Sequence, residues 1–304
     1  MRIGLSGGAS SVDKMIEQAV RAEADGYTSL WYASATSGDP LVAMALAGRA
    51  TTRIELGTSV LQTYTAHPFL MANRAASVVA AMGRPGLTLG IGPSHQPVIE
   101  DVLGLDFSHP GRHTEEYVSV LAPMLRGEEV AFTGEDFRVH SFGRGTPPPY
   151  PVSLMVSALA PRLLRVAGTH TDGTILWMAN AKAISAHVAP RLRAAAEAAG
   201  RPAPRIVAGL PVAVVDDEAA GRDAAARQFA MYGTLVNYRR ILDIGGAGGP
   251  ADAAVVGDEA SVTAQVEALF EAGATDVWAA PFAVGDDRSA SRRRTRELLN
   301  TLVG

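Results

Sequence analysis

Short apolar runs alternate with helix-period patterns along the whole chain. Val12, Met15, Ile16, Ala19 and Val20 fall at i, i+3, i+4, i+7 and i+8, which predicts a first helix with Ser10 and Asp13 as its capping box and Gly26 as its stop. Runs of strand character follow the same logic at 3–6, 29–32, 54–61, 87–91, 152–157, 174–178, 206–215 and 277–280. Helical patterns separate and follow them, at 40–50, 69–82, 112–125, 161–168, 183–199, 218–231, 261–272 and 289–302. The strands are apolar nearly throughout, as in a parallel sheet covered on both faces. Eight strand and helix units in series predict an α/β fold, a (β/α)8 TIM barrel with insertions forming one domain over 1–304. An open doubly wound sheet is the alternative.

Three segments interrupt this rhythm. Residues 92–111 form a long connection after the fourth strand, and residues 232–258 carry the run Gly245-Gly246-Ala247-Gly248-Gly249-Pro250. The first follows the fourth strand and the second lies in the region after the seventh, so barrel geometry puts both at the catalytic mouth. The glycine-rich stretch reads as a mobile lid edge or, equally, as plain disorder. Residues 128–151 hold a hairpin, Val130 to Phe132 and Phe137 to Val139 around Thr133-Gly134-Glu135-Asp136, ahead of Pro147-Pro148-Pro149. That insertion follows a helix, which assigns it a structural or subunit-contact role.

Composition narrows the chemistry. With 47% hydrophobic residues the chain can bury a sizeable core, and a net charge of −4 gives no general attraction to nucleic acid. The basic run Arg292-Arg293-Arg294 with Arg296 reads as the wet face of the last helix. The absence of cysteine removes thiol nucleophiles, disulfides and cysteine-bound zinc. Lys14 and Lys182 are the only lysines, neither follows the glycines of a phosphate loop, and Lys182 alone is a candidate for Schiff-base chemistry. No leader pattern opens the chain and no apolar run approaches the roughly 20 residues of a membrane span, so a cytoplasmic protein without membrane partners is expected.

Several motifs carry candidate chemistry. Gly4-Leu5-Ser6-Gly7-Gly8 has the form of a serine-hydrolase elbow, but it lies on the first strand, where no sheet yet surrounds it. Ser6 and Gly7 are better read as a strand end leaving room at the mouth. Leu89-Gly90-Ile91-Gly92-Pro93-Ser94-His95 lacks the third glycine of a dinucleotide fingerprint; it suits a strand end where backbone meets a flat ligand. Thr58 and Ser59 place small hydroxyls at the end of another apolar strand, again toward a ligand. Val156-Ser157-Ala158-Leu159-Ala160-Pro161-Arg162 leads a strand into a helix whose free amides, with the Ser157 hydroxyl and Arg162, suit a phosphodiester; an ordinary capped helix is the plainer reading. His109 and His113 are four apart, but Pro110-Gly111 between them argues against a metal pair, and no metal site is expected. His95, just past the fourth strand, is the candidate general acid or base, with a structural histidine as the alternative. Trp177, Met178, Met231, Tyr232 and Tyr238 can form an apolar pocket, although core packing is expected for most of them.

In order and spacing, Leu56-Gly57-Thr58-Ser59-Val60-Leu61 with His67-Pro68, Met82-Gly83-Arg84, Leu89-Gly90-Ile91-Gly92, Ser157-Ala158-Leu159-Ala160-Pro161 and Glu271-Ala272-Gly273-Ala274-Thr275-Asp276 resemble the bacterial luciferase-like oxidoreductases. Within that family the resemblance is to the branch that uses the deazaflavin coenzyme F420. It implies a barrel that pairs as a homodimer and holds the cofactor at its C-terminal mouth, near Ser6, Thr58 and Gly92. A cis peptide between Ser59 and Val60 would support the tricyclic ring, and the cofactor phosphate would meet the backbone from Val156 through Ser157, Ala158, Leu159 and Ala160. The implied reaction is hydride transfer with a small-molecule substrate, His95 supplying any proton transfer. An FMN-dependent monooxygenase or reductase is the alternative, and a cofactor-binding protein without turnover is a third. Ala158 and Ala160 replace glycines common in the family's phosphate loop. Sugar-phosphate-oxidising relatives carry an Asp-His pair where this chain has Tyr32-Ala33-Ser34, and a glutamate where it has His95, so a sugar-phosphate substrate is not expected.

Overall fold

The computed structural model describes residues 1–8, 10–33 and 38–303. Its strands are β1 (Ile3–Gly7), β2 (Ser29–Tyr32), β3 (Glu55–Thr58), β4 (Leu61–Gln62), β5 (Leu87–Gly92) and β6 (Ala131–Thr133) in the first half. The second half adds β7 (Arg138–His140), β8 (Val152–Val156), β9 (Gly173–Trp177), β10 (Arg205–Val214), β11 (Val255–Gly257) and β12 (Asp276–Pro281). Parallel pairing runs β1, β2, β3, β5, β8, β9, β10, β12 and returns to β1, which closes the expected barrel.

The stave expected as one strand over 54–61 is two. β3 pairs β5 at Leu56 with Leu87, β4 pairs it again at Leu61 with Ile91, and the ladder is broken between them. The Ser59–Val60 peptide in that gap is cis. Beyond the eight staves, β11 pairs with the far end of the ten-residue β10 at Val212 to Val214.

Proline at the first turn and a side-chain acceptor before it start several helices: Asp39 ahead of Pro40–Ala50, and His67, whose Nδ1 accepts from the Phe69 amide, ahead of Pro68–Met82. The first helix, Val12–Ala24, is capped by Ser11 rather than Ser10, because the Ser11 hydroxyl is the one that reaches the Lys14 amide. It buries Met15, Ala19 and Ala22, while Val12 and Val20 of the predicted stripe stand partly in solvent.

Among the described residues three apolar clusters result. The largest lies between sheet and helices, a second fills the barrel with Trp31, Met155, Ile175, Val207 and Trp278, and a third joins Val120 to Val130 and Val139 at the hairpin. The indoles fit because glycine faces each of them: a Cβ on Gly57 would lie 2.3 Å from the Trp31 ring, and one on Gly209 would lie 2.1 Å from the Trp278 ring. At the N-terminal end of the barrel, Arg2 and Arg205 share the carboxylates of Glu55 and Asp276, with N···O distances of 2.7 to 3.0 Å.

The β6–β7 hairpin lies along the helix Pro110–Leu125 and reaches back to its first turns. There the Glu116 carboxylate accepts from the amides of Glu135, Asp136 and Phe137, and Arg112 pairs with Asp136. Residues 232–258 are more ordered in pattern than a glycine-rich run suggests. They hold the helices Val236–Ile244 and Pro250–Ala253 as well as β11, and Arg239 donates to the carbonyls of Ala247 and Gly248. Among the described residues no helix is long and apolar enough to cross a membrane.

Candidate active site

A cavity of about 360 Å³ opens at the C-terminal ends of the staves. Ser59, Val60 and Gln62 come from the β3–β4 break, Gly92 to His95 from the end of β5, and Ser157, Leu159 and Ala160 from the loop after β8. Ile175 and Trp177 of β9, Trp278 of β12, and Met231, Tyr232, Asn237 and Tyr238 complete the wall. Among the described residues lining it, none is Asp, Glu, Lys or Arg.

The site residues expected from sequence divide into two groups. His95, Ser59, Val60, Gly92, Ser157, Leu159 and Ala160 are brought together on the wall. Ser6, Thr58, Val156 and Ala158 lie off it. Ser6 directs its carbonyl to the Gln18 side-chain amide. Thr58, fully buried, donates its hydroxyl to the Gly90 carbonyl at 2.7 Å and accepts from the Gly90 amide at 2.9 Å, bridging the ladder where it is broken. Val156 is core, and the Ala158 amide donates to Thr174 Oγ1 at 3.2 Å. Ser157 keeps its side chain at the cavity while its amide donates to the Ile91 carbonyl.

Of the 156–160 stretch, therefore, only Ser157, Leu159 and Ala160 lie on the wall, and the amides of Ser157 and Ala158 are already hydrogen-bonded. The helix Pro161–His170 starts after Ala160 with no side-chain cap, so its first-turn amides and the positive end of its dipole face the loop that lines the cavity. Arg162 is engaged elsewhere, its guanidinium 2.7 Å from Glu115. Lys182 lies beside Gly246 and off the wall, which removes it as a Schiff-base candidate for this cavity.

His95 follows Ser94, whose φ of 68° turns the chain at the strand end, and Gln62 Nε2 donates to Ser94 Oγ at 3.1 Å. Burial lowers the pKa of the His95 imidazole from its ordinary value and favours the neutral ring. Its ring centroid is 5.6 Å from that of Tyr238. From there a row of rings runs along the wall: Tyr238 against Tyr232 at 4.9 Å, Tyr232 against Trp177 at 5.7 Å, and Trp177 stacked on Trp278 at 5.0 Å.

Core packing, expected for most of the aromatic and sulfur residues, holds fully for Met178 and in part for Trp177, Tyr232 and Tyr238, which pack against the main core and also line the cavity; Met231 lines it at an exposed position. Gln62, Asn237 and Trp278 belong to no motif, and Ser94 enters only as part of the 89–95 run. For three of them the available signal was position within a few residues of a strand's C-terminal end. Of Tyr32, Ala33 and Ser34, Ala33 lines the cavity, Tyr32 is buried, and Ser34 lies outside the described residues. His113 stacks on Tyr64 at 3.9 Å, and the helix that carries it begins only at Pro110, after His109.

The wall can accept a flat ring system. A Cβ at Gly92 would come within 3.0 Å of Val60 Cγ2 and 3.1 Å of Ser157 Cβ, so glycine keeps open the space between them. Ser59 Oγ and Trp278 Nε1 are buried without a protein hydrogen-bond partner.

Comparison with known proteins bears on the family and the fold. The chain is 30% identical over 234 residues, 71% of its length, to the F420-dependent hydroxymycolic acid dehydrogenase of Mycobacterium tuberculosis, covering 63% of that protein. It is 25% identical over 293 residues to the 5,10-methylenetetrahydromethanopterin reductase of Methanolobus tindarius, covering 94% of this chain and 87% of that one. In fold it is similar to an F420-dependent secondary alcohol dehydrogenase solved with an F420-acetone adduct, with a TM-score of 0.79 at 19% identity, over 100% of this chain and 99% of the other. Residues 1–289 match the family model described as luciferase-like monooxygenase, and the chain belongs to that family.

Proposed function

We propose that this protein is an F420-dependent oxidoreductase that transfers a hydride between the deazaflavin and a small organic substrate. The observation that carries the proposal is the joining, in one cavity, of a glycine-lined apolar slot and an uncapped helix N-terminus. The slot suits a planar ring and the helix end suits a phosphodiester. Similarity to the mycobacterial dehydrogenase and the methanogen reductase supports the choice of F420.

In this reading Val60 and Gly92 bear the ring, while the Ser157 hydroxyl and the amides at Leu159, Ala160 and the first helical turn receive the phosphate. When bound, the deazaflavin supplies two-electron hydride chemistry and does not readily activate oxygen. His95 manages the proton. Neutral at ordinary pH, it accepts the proton that a hydroxyl loses as its carbon is oxidised to a carbonyl; in the reverse direction its protonated form returns that proton to oxygen. The aromatic row excludes water and orients the substrate.

Titration followed by cofactor absorbance and tryptophan quenching tests the proposal. Saturable binding of F420 with no binding of FMN supports it, as does hydride exchange with an alcohol, imine or activated alkene. Binding of FMN and not F420 sinks it in favour of a flavin monooxygenase or reductase.

A further inference from the structure

We infer that the substrate side of the cavity selects uncharged alcohols or carbonyl compounds with an apolar body, and that Met231 and Tyr232 set this selectivity. The inference rests on the proposed oxidoreductase reading and adds the class of substrate.

Its basis is the electrostatic poverty of the wall. None of the described residues lining the cavity carries a carboxylate, ammonium or guanidinium. The charged side chains nearest in sequence are tied elsewhere: Arg162 to Glu115, and Arg239 to Asp243 and to the carbonyls of Ala247 and Gly248. An ionised substrate group entering beside Trp177 and Tyr232 would shed water and meet no counter-ion. Aromatic edges and the Met231 thioether instead offer area to a neutral hydrocarbon or arene. Polar capacity on the wall comes from uncharged hydroxyl, amide and indole groups together with the imidazole of His95. Beside Trp177 and Tyr232 these are the indole N–H, the tyrosine hydroxyls, Asn237 and His95, which can fix a hydroxyl or carbonyl but offer no fixed counter-charge. Met231 is 57% exposed, so it sits where the cavity meets solvent and a substrate body would pass it.

A matched pair of probes tests this: 1-phenylethanol, and the same alcohol bearing a ring carboxylate, 4-(1-hydroxyethyl)benzoate. Affinities are read from quenching of tryptophan fluorescence in the F420-loaded protein and, separately, in the cofactor-free protein. The neutral alcohol should bind about a hundredfold or more tighter than the carboxylate, since an unpaired buried charge is strongly rejected. Met231→Arg, at an exposed position that tolerates a charge, should close that ratio to within roughly tenfold by giving the carboxylate a partner. Equal affinities for the two probes in the unaltered protein, or a ratio indifferent to Met231→Arg, would overturn the inference. Failure of F420 to bind would instead remove the cofactor assignment, while the probe ratio in the cofactor-free protein still judges the selectivity.

Discussion

Thr58 offers the sharpest test of how the barrel supports its mouth. Thr58→Val keeps the shape of the side chain and removes one hydroxyl that both donates to the Gly90 carbonyl and accepts from the Gly90 amide. Water does not reach the site, because Thr58 is fully buried and Gly90 is held so close that a Cβ there would lie 2.0 Å from the Thr58 carbonyl oxygen. Losing a neutral hydrogen bond costs about 1 kcal/mol, and leaving the Gly90 amide buried without an acceptor adds about 1–3 kcal/mol, so the expected destabilisation is about 2–4 kcal/mol. Urea denaturation followed by far-UV circular dichroism measures it. Thr58→Ser retains the hydroxyl and should fall within about 1 kcal/mol of the parent. If Thr58→Val unfolds at the parent's midpoint with the same slope, the bridge across the broken ladder has no energetic role and the reasoning fails.

Three further outcomes are expected. Gly92→Ala brings a methyl within 3.0 to 3.1 Å of Val60 and Ser157, and should weaken F420 binding roughly tenfold, the equivalent of about 1.4 kcal/mol of overpacking; unchanged affinity in an absorbance titration would remove Gly92 from the ring site. His95→Gln should slow alcohol oxidation roughly 100- to 10,000-fold. Because burial lowers the His95 pKa, the parent rate should be level through neutral pH and fall only on acidification, and this acid limb should vanish in the variant. Burial alone would raise the Asp276 carboxyl, but hydrogen bonds from Arg205, Thr275 and Arg2 hold it below its usual value. Its contribution to stability is therefore complete above the unfolded carboxylate pKa of about 4 and is lost as pH falls through the lower folded value. Asp276→Asn should cost about 3 kcal/mol or more at pH 7 by leaving guanidinium charge underpaired, and should flatten the acid dependence in a denaturation series across pH.

Much of the barrel was legible in the chain itself. The near-continuous apolar strands and the 3.6-residue periods between them are local signals, and they fixed eight staves, the helix Pro40–Ala50 to the residue, and the mouth as the place to seek chemistry. Strand ends and glycines mark His95, Ser59, Gly92 and the 157–160 stretch, because they constrain backbone, and the family resemblance adds Val60; His95, Ser59, Val60, Gly92, Ser157, Leu159 and Ala160 lie on the cavity wall. Folding decided what depends on partners far along the chain. Thr58 turned inward because Gly90, 32 residues away, offers both halves of a hydrogen-bonding pair, and Ala158 gave its amide to Thr174. Trp177 and Tyr232 carry the same hydrophobic signature in a core or on a cavity wall; only the meeting of β9 with the segment after β10 shows that they face open space. Burial, hydrogen-bond partners and the neutrality of the cavity are properties of three-dimensional neighbours, and no local pattern encodes them.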